Sequence, residues 1–104
     1  MTEFKDATIS RLANVYFDGQ VTSRTVTLAD GEKKTLGIML PGTYRFTTDT
    51  RELMEIQSGH VEVRLDGQDE WQSYQDDSSF EVPGGSAFDI RVNTVTDYCC
   101  SYGD

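Results

Sequence analysis

Turn-forming dipeptides break this chain about every ten residues, and the short runs between them alternate apolar with polar side chains. That is the rhythm of a β-sandwich or barrel. Residues 20–29 (QVTSRTVTLA) are rich in Val and Thr and end at Asp30-Gly31, a hairpin dipeptide that tolerates positive φ. Residues 35–40 (TLGIML) are apolar enough for a buried strand, and Pro41-Gly42 turns the chain. In residues 43–48 (TYRFTT), Tyr44, Phe46 and Thr48 face one way and Thr43, Arg45 and Thr47 the other. Residues 52–57 form the next strand, closed by Ser58-Gly59, and in 60–65 (HVEVRL) Val61, Val63 and Leu65 share a face. Asp66-Gly67 is a second hairpin turn. Short strands follow at 71–74 and 79–82, Pro83-Gly84-Gly85 interrupts, and 87–92 and 96–102 complete a set of about nine or ten. Residues 7–16 are ambiguous: Ile9, Leu12, Ala13 and Tyr16 have helical spacing, whereas Val15-Tyr16-Phe17 reads equally as a strand.

One antiparallel sheet of that many strands would leave long exposed edges, so an all-β barrel or jelly roll is expected. At 104 residues the chain is a single domain, and 37% hydrophobic and 11% aromatic content supply its core. The charge is unevenly placed. Residues 1–52 hold seven acids and seven bases, while residues 53–104 hold eleven acids against Arg64 and Arg91 alone, so the net charge of -9 lies in the C-terminal half. Such a chain is a poor partner for nucleic-acid polymers or anionic membranes, which demand basic surface. No apolar run approaches the roughly 18 residues of a membrane span, and the first residues, Met-Thr-Glu-Phe-Lys-Asp, carry neither the basic nor the apolar part of a signal peptide. Cys99 and Cys100 are adjacent, so a mutual disulfide is strained; the expectation is a reduced pair, one buried and one near the surface, in a cytoplasmic protein.

Most catalytic templates are missing. A single histidine, His60, stands at a turn, and no zinc spacing, phosphate-cradling glycine loop, nucleophile elbow or EF-hand loop is present. The acids Asp66, Asp69, Glu70, Asp76 and Asp77 fall in loops and read as solvated charge. One arrangement stands out. Glu52 shares strand parity with Met54 and Ile56, and a carboxylate on a core-facing side is costly without a partner or ligand. The neighbouring segments offer Tyr44, Phe46 and Thr48, and then Phe80 and Phe88 around a backbone turn. Aromatic walls with hydroxyls and one carboxylate suit a small, flat, polar ligand; an ordinary aromatic core with Glu52 tilted to the rim is the plainer reading.

The spacing of these residues resembles the two cupin signatures. Gly42, Phe46-x-Thr48, Glu52 and Gly59 echo the first; Pro83-x-Gly85-x2-Phe88 echoes the second, with Asp77 where its first glycine would stand. All three metal-binding histidines are replaced, by Phe46, Thr48 and Phe88, so no metal is expected. Tyr16-Phe17-x-Gly19, Gly37-Ile-Met39, Gly42-x-Tyr44-x-Phe46-x-Thr48, Glu52-x-Met54, Gly59, Trp71, Phe80-x-Val82-Pro83, Ser86-x-Phe88 and Tyr98-x-Cys100-x-Tyr102 together resemble a small metal-free cupin family, the pyrimidine/purine nucleoside phosphorylases. The resemblance runs from about Asn14 to Tyr102. It departs at Arg51, where the family often has Pro, and at Asp77, where it often has Gly.

The resemblance implies a cupin-type jelly-roll barrel over residues 14–104, with 1–13 as an extension. It implies phosphorolysis of purine and pyrimidine nucleosides to free base and ribose 1-phosphate, with inorganic phosphate as co-substrate and no cofactor. Glu52 is then the catalytic residue, binding the ribose hydroxyls and stabilising an oxocarbenium-like sugar. Tyr44, Phe46 and Phe88 wall the pocket and stack on the base; Thr48 and Ser86 offer hydroxyls. Arg51, Arg45 and Arg91 are the phosphate candidates, although strand parity turns Arg45 and Arg91 away from Tyr44 and Phe88, which favours Arg51. A homodimer is expected, since small cupins commonly pair edges. A non-catalytic nucleoside- or sugar-binding cupin is the alternative.

Overall fold

A computed structural model describes residues 3–103. The described residues form eleven strands: β1 (Thr8–Ile9), β2 (Asn14–Tyr16), β3 (Val21–Thr27), β4 (Lys33–Met39), β5 (Gly42–Thr47), β6 (Glu52–Ser58), β7 (His60–Leu65), β8 (Gln72–Gln75), β9 (Ser78–Val82), β10 (Ala87–Val92) and β11 (Thr96–Tyr102). Every pairing is antiparallel. One sheet has seven strands in the order β1-β3-β4-β11-β6-β9, with β2 also on β3; the other has four in the order β5-β10-β7-β8. This is the all-β jelly roll that the alternating runs and turn spacing allow, of the cupin type that the family resemblance implies.

The alternation decides which residues meet. From the seven-stranded sheet Val21, Met39, Met54, Ile56, Val82 and Tyr98 turn inward; from the four-stranded sheet Tyr44, Val61, Val63, Phe88, Ile90 and Val92 meet them. The ambiguous stretch 7–16 holds no helix. Its ends pair with the outer edge of β3 as β1 and β2, leaving Ile9, Leu12 and Val15 exposed. Pairing with β3 supplies ladder hydrogen bonds, and a helix of about ten residues without a packed apolar face is marginal in water.

Three local expectations are corrected. His60 opens β7, as the 60–65 strand has it, but it is half-buried and paired with Gln75 rather than a solvated turn residue, and its Nδ1 lies 3.3 Å from Asn93 Nδ2. Trp71 precedes β8, where Arg64 and Arg91 lie against its ring at 4.7 and 4.1 Å. Cys99 and Cys100 are both buried, at 3% exposure each; Cys99, on the outer face of β11, lies between Leu36 of β4 and Glu55 of β6. Asp77, standing where the resembled family often has Gly, adopts a left-handed φ of 62°, which explains the glycine preference and fits Asp's tolerance of that region.

Gly37 shapes the interior. It sits opposite Tyr98 on the β4–β11 ladder, and a Cβ there would come within 2.8 Å of the Tyr98 ring and also strike the Thr22 carbonyl. Without that atom, the Tyr98 ring occupies the space above Gly37.

Candidate functional site

A cavity of about 140 Å³ lies between the two sheets near one rim of the barrel. Its seven-stranded wall is built by register. Cys100 on β11 is flanked by Thr35 on β4 and Met54 on β6, and the next inward rung pairs Tyr102 with Glu52. Parity alone puts Glu52 with Met54; only the β6–β11 pairing sets it beside Tyr102 and Cys100. From the facing sheet come Phe46 and Phe88, opposite one another on β5 and β10 and stacked at 5.6 Å with a 27° interplanar angle. Tyr16 stands at the open side, 44% exposed.

Polar groups in this cavity form short chains. The Cys100 thiol donates to Glu52 Oε1 at 3.5 Å. The Tyr102 hydroxyl is 3.1 Å from Thr35 Oγ1. Asn14 Nδ2 donates at 3.2 Å to Oγ of Ser23, which lines the cavity with Tyr98. The half-buried Glu52 carboxyl is pushed above its ordinary value, chiefly by burial and further by Asp49, against the opposing Cys100 hydrogen bond. Burial likewise pushes Tyr98 up to about 12 and the Cys100 thiol up to about 12, and raises Tyr102. All three therefore stay protonated at neutral pH and offer hydrogen-bond donors.

Of the residues singled out from sequence, the structure brings Glu52, Phe46 and Phe88 into one cavity. Tyr44 is buried beside it, its hydroxyl donating to the Leu40 carbonyl at 2.7 Å. Thr48 and Ser86 act instead as a clasp between the two rim loops. Thr48 Oγ1 donates to the Pro83 carbonyl at 2.6 Å and accepts from the Ser86 N–H at 3.0 Å, while the Thr48 N–H donates to the Ser86 carbonyl at 2.9 Å. Arg45 and Arg91 lie outside, as their parity requires. Arg45 pairs with Asp66 at 3.1 Å and Asp89 at 3.2 Å, and Arg91 with Glu62 at 3.3 Å. Arg51, in the loop before Glu52, is 3.7 Å from Glu81 with both side chains more than half exposed. Among the described residues, the cavity lining contains one carboxylate and no Lys, Arg or His.

Sequence reasoning did not assign Ser23, Thr35, Tyr98, Cys100 and Tyr102 to the site. The alternation of Tyr98, Cys100 and Tyr102 was a usable signal; the pairing of β11 with both β4 and β6 was not. The residues do not fit a metal. The positions that a metal-binding cupin fills with histidine hold two stacked phenyl rings and a threonine committed to backbone hydrogen bonds, and among the described residues no group of three metal-ligating side chains gathers anywhere.

The family model of pyrimidine/purine nucleoside phosphorylases matches residues 11–102. The chain belongs to this family. It is 56% identical to a pyrimidine/purine nucleoside phosphorylase of Syntrophotalea carbinolica over 102 residues, and 55% identical to one of Colwellia psychrerythraea over 102 residues, covering 98% of each chain in both comparisons. Among solved structures, a protein of unknown function from Acinetobacter sp. ADP1 superposes with a TM-score of 0.94 at 40% identity, covering 97% of this chain and 98% of that one. An RmlC-like cupin from Shewanella frigidimarina superposes with a TM-score of 0.68 at 14% identity, covering 94% and 84%, which supports the cupin fold.

Proposed function

We propose that this chain is a nucleoside phosphorylase, a pentosyltransferase that cleaves purine and pyrimidine nucleosides with inorganic phosphate. The observation that carries the reading is Glu52, a half-buried carboxylate on an aromatic cavity in a chain of this family. In the reaction a phosphate oxygen forms a bond to C1′ of the sugar. The C1′–N bond breaks, its electron pair leaves with the base nitrogen, and the base takes up a proton. Positive charge builds on the sugar ring, and the Glu52 carboxylate, held by the Cys100 thiol, stabilises that charge and accepts hydrogen bonds from the ribose hydroxyls. Phe46 and Phe88 wall the site, with Tyr44 behind them; Thr48 and Ser86 hold the rim loops that carry Glu52 and Phe88.

For phosphate, Arg51 is the cation with the most freedom to serve. It precedes Glu52 in the rim loop, and its ion pair with Glu81 is long and exposed. Arg45 and Arg91 hold acids on the outer face and serve the sheet. No helix among the described residues is long and apolar enough to cross a membrane. We take the protein to be cytoplasmic and dimeric, and light scattering tests the second point. One observation favours the non-catalytic alternative: no cation lines the cavity among the described residues. Incubation with uridine and adenosine, with and without phosphate, separates the two. Free base released only with phosphate supports the phosphorylase; binding of either nucleoside with no release of base supports the sensor.

A further inference from the structure

The turn between β2 and β3 is built against local preference. Phe17, Asp18 and Gly19 all have left-handed φ values, of 52°, 54° and 92°, and only the last is a glycine. A phenylalanine is seldom found there, and such residues persist where their surroundings over-determine them and where function uses the result. The surroundings are visible. The Gln20 N–H closes the turn on the Phe17 carbonyl at 3.1 Å, and the Leu40 N–H donates to the Gln20 carbonyl at 2.9 Å. The Phe17 ring then crosses from the edge of the seven-stranded sheet to β5 of the other, 5.0 Å from Tyr44 and 5.4 Å from Phe46. The turn thus bridges the two sheets beside the cavity, and the residue it fixes there is Tyr16.

We propose that Tyr16 is the base-stacking residue of the site and that the strained Phe17–Gly19 turn is what holds its ring at the mouth. The proposal rests on the phosphorylase reading above. Pockets that enclose a whole drug-sized ligand measure about 300–1,000 Å³. A cavity of about 140 Å³ takes one ring of a nucleoside and leaves the other at its mouth. The carboxylate and hydroxyls of Glu52, Thr35, Tyr98 and Tyr102 suit the sugar, and the lining contains no amide or guanidinium to read a base edge among the described residues. The base therefore lies at the mouth. There the Tyr16 ring meets Phe46 at 79° and 6.2 Å, a geometry in which Phe46 covers at most one of its faces. An exposed aromatic face stacks on any base, because every base has a π face.

The test compares Tyr16→Ala, Tyr16→Leu and Tyr16→Phe, with Asp18→Gly as a change that keeps the turn and every ring. Steady-state phosphorolysis of adenosine and uridine is measured, together with calorimetric titration of each nucleoside without phosphate. Loss of one stacking partner predicts about a tenfold rise in KM and in the dissociation constant for Tyr16→Ala, larger for adenosine than for uridine, with kcat within about twofold. Tyr16→Leu follows Ala in direction, while Tyr16→Phe and Asp18→Gly keep the parent values. Unchanged affinity in both Ala and Leu variants overturns the proposal, as does a Phe variant as weak as Ala, which would assign the role to the hydroxyl. Absence of turnover in the parent protein overturns the phosphorylase reading alone; the phosphate-free titrations still decide the stacking role.

Discussion

Cys100 and Glu52 stand on diagonally adjacent positions of β11 and β6, and the thiol donates to the carboxylate at 3.5 Å. The thiol is pushed up to about 12, mainly by burial and then by the Glu52 charge, so it remains a donor throughout the pH range in which the carboxylate titrates. Glu52 is itself held above its ordinary value of 4.5 by burial, partly offset by this hydrogen bond.

A pH dependence follows with a definite sign. A carboxyl with a raised folded-state pKa binds more protons folded than unfolded across the interval from 4.5 up to its raised value. Stability therefore falls as pH rises through that interval, and Glu52→Gln removes this component of the dependence. Activity that needs the carboxylate falls on acidification with a midpoint above 4.5. Cys100→Ser keeps a donor, and Cys100→Ala, which loses one, moves that midpoint higher. Glu52→Gln lowers kcat about a hundredfold or more at neutral pH, by the scale of one lost electrostatic stabiliser. Rate profiles and thermal melts across pH check all of these, and a Gln variant active at the parent rate removes Glu52 from the mechanism.

Both cysteines should be inert in the folded protein. Each is 3% exposed, and burial raises both thiols. Ellman titration at pH 8 is expected to find no reactive thiol in native protein and two per chain in denaturant. Reaction of one thiol without denaturant would place it at the surface.

The rim clasp is expected to matter for stability and, through it, for catalysis. Thr48→Val keeps the shape but deletes the hydroxyl that joins the Pro83 carbonyl to the Ser86 N–H. Pro83 is exposed and Ser86 half-buried, so losing these hydrogen bonds costs about 1 kcal/mol. Urea unfolding measures that loss, and fluorescence of Trp71, the single tryptophan, reports it. An unchanged midpoint would show that water replaces the hydroxyl without penalty.

Space inside the barrel is set at Gly37 and Phe88. Gly37→Ala is expected to destabilise the fold and displace Tyr98, because the new methyl group meets that ring and the Thr22 carbonyl together. Phe88→Ala removes a ring that is 1% exposed and costs about 3–5 kcal/mol. Melting temperatures of the two variants check this. A Gly37→Ala variant of parent stability would mean that the β4–β11 ladder opens to admit the methyl.

Glu52 was legible as an anomaly because strand alternation has a period of two and puts it with Met54 and Ile56. The all-β class was legible because turn dipeptides recur about every ten residues; the jelly roll among all-β folds was what the family resemblance implied. Phe46 and Phe88 were legible by the same parity, and so was the outward direction of Arg45 and Arg91. Tyr98, Cys100 and Tyr102 were not assigned, because their parity is shared by every inward residue of β11 and nothing local says that β11 lies between β4 and β6. The stretch around Ile9 misleads for a related reason: its strand state depends on a free edge contributed by β3, where Thr8 pairs with Thr27 and Ile9 with Val26.

By itself, then, the amino-acid sequence determined the class of fold, the face on which each strand residue lies and the oddity of one inward carboxylate, since these depend on local geometry and on the free energy of burying a charge. Tertiary structure alone decided which inward residues share a cavity, that Thr48 and Ser86 tie loops together, that Arg51 stays outside it, and that a left-handed turn sets Tyr16 at its mouth. Those facts depend on strand order and register, which are settled by contacts between residues distant in the chain.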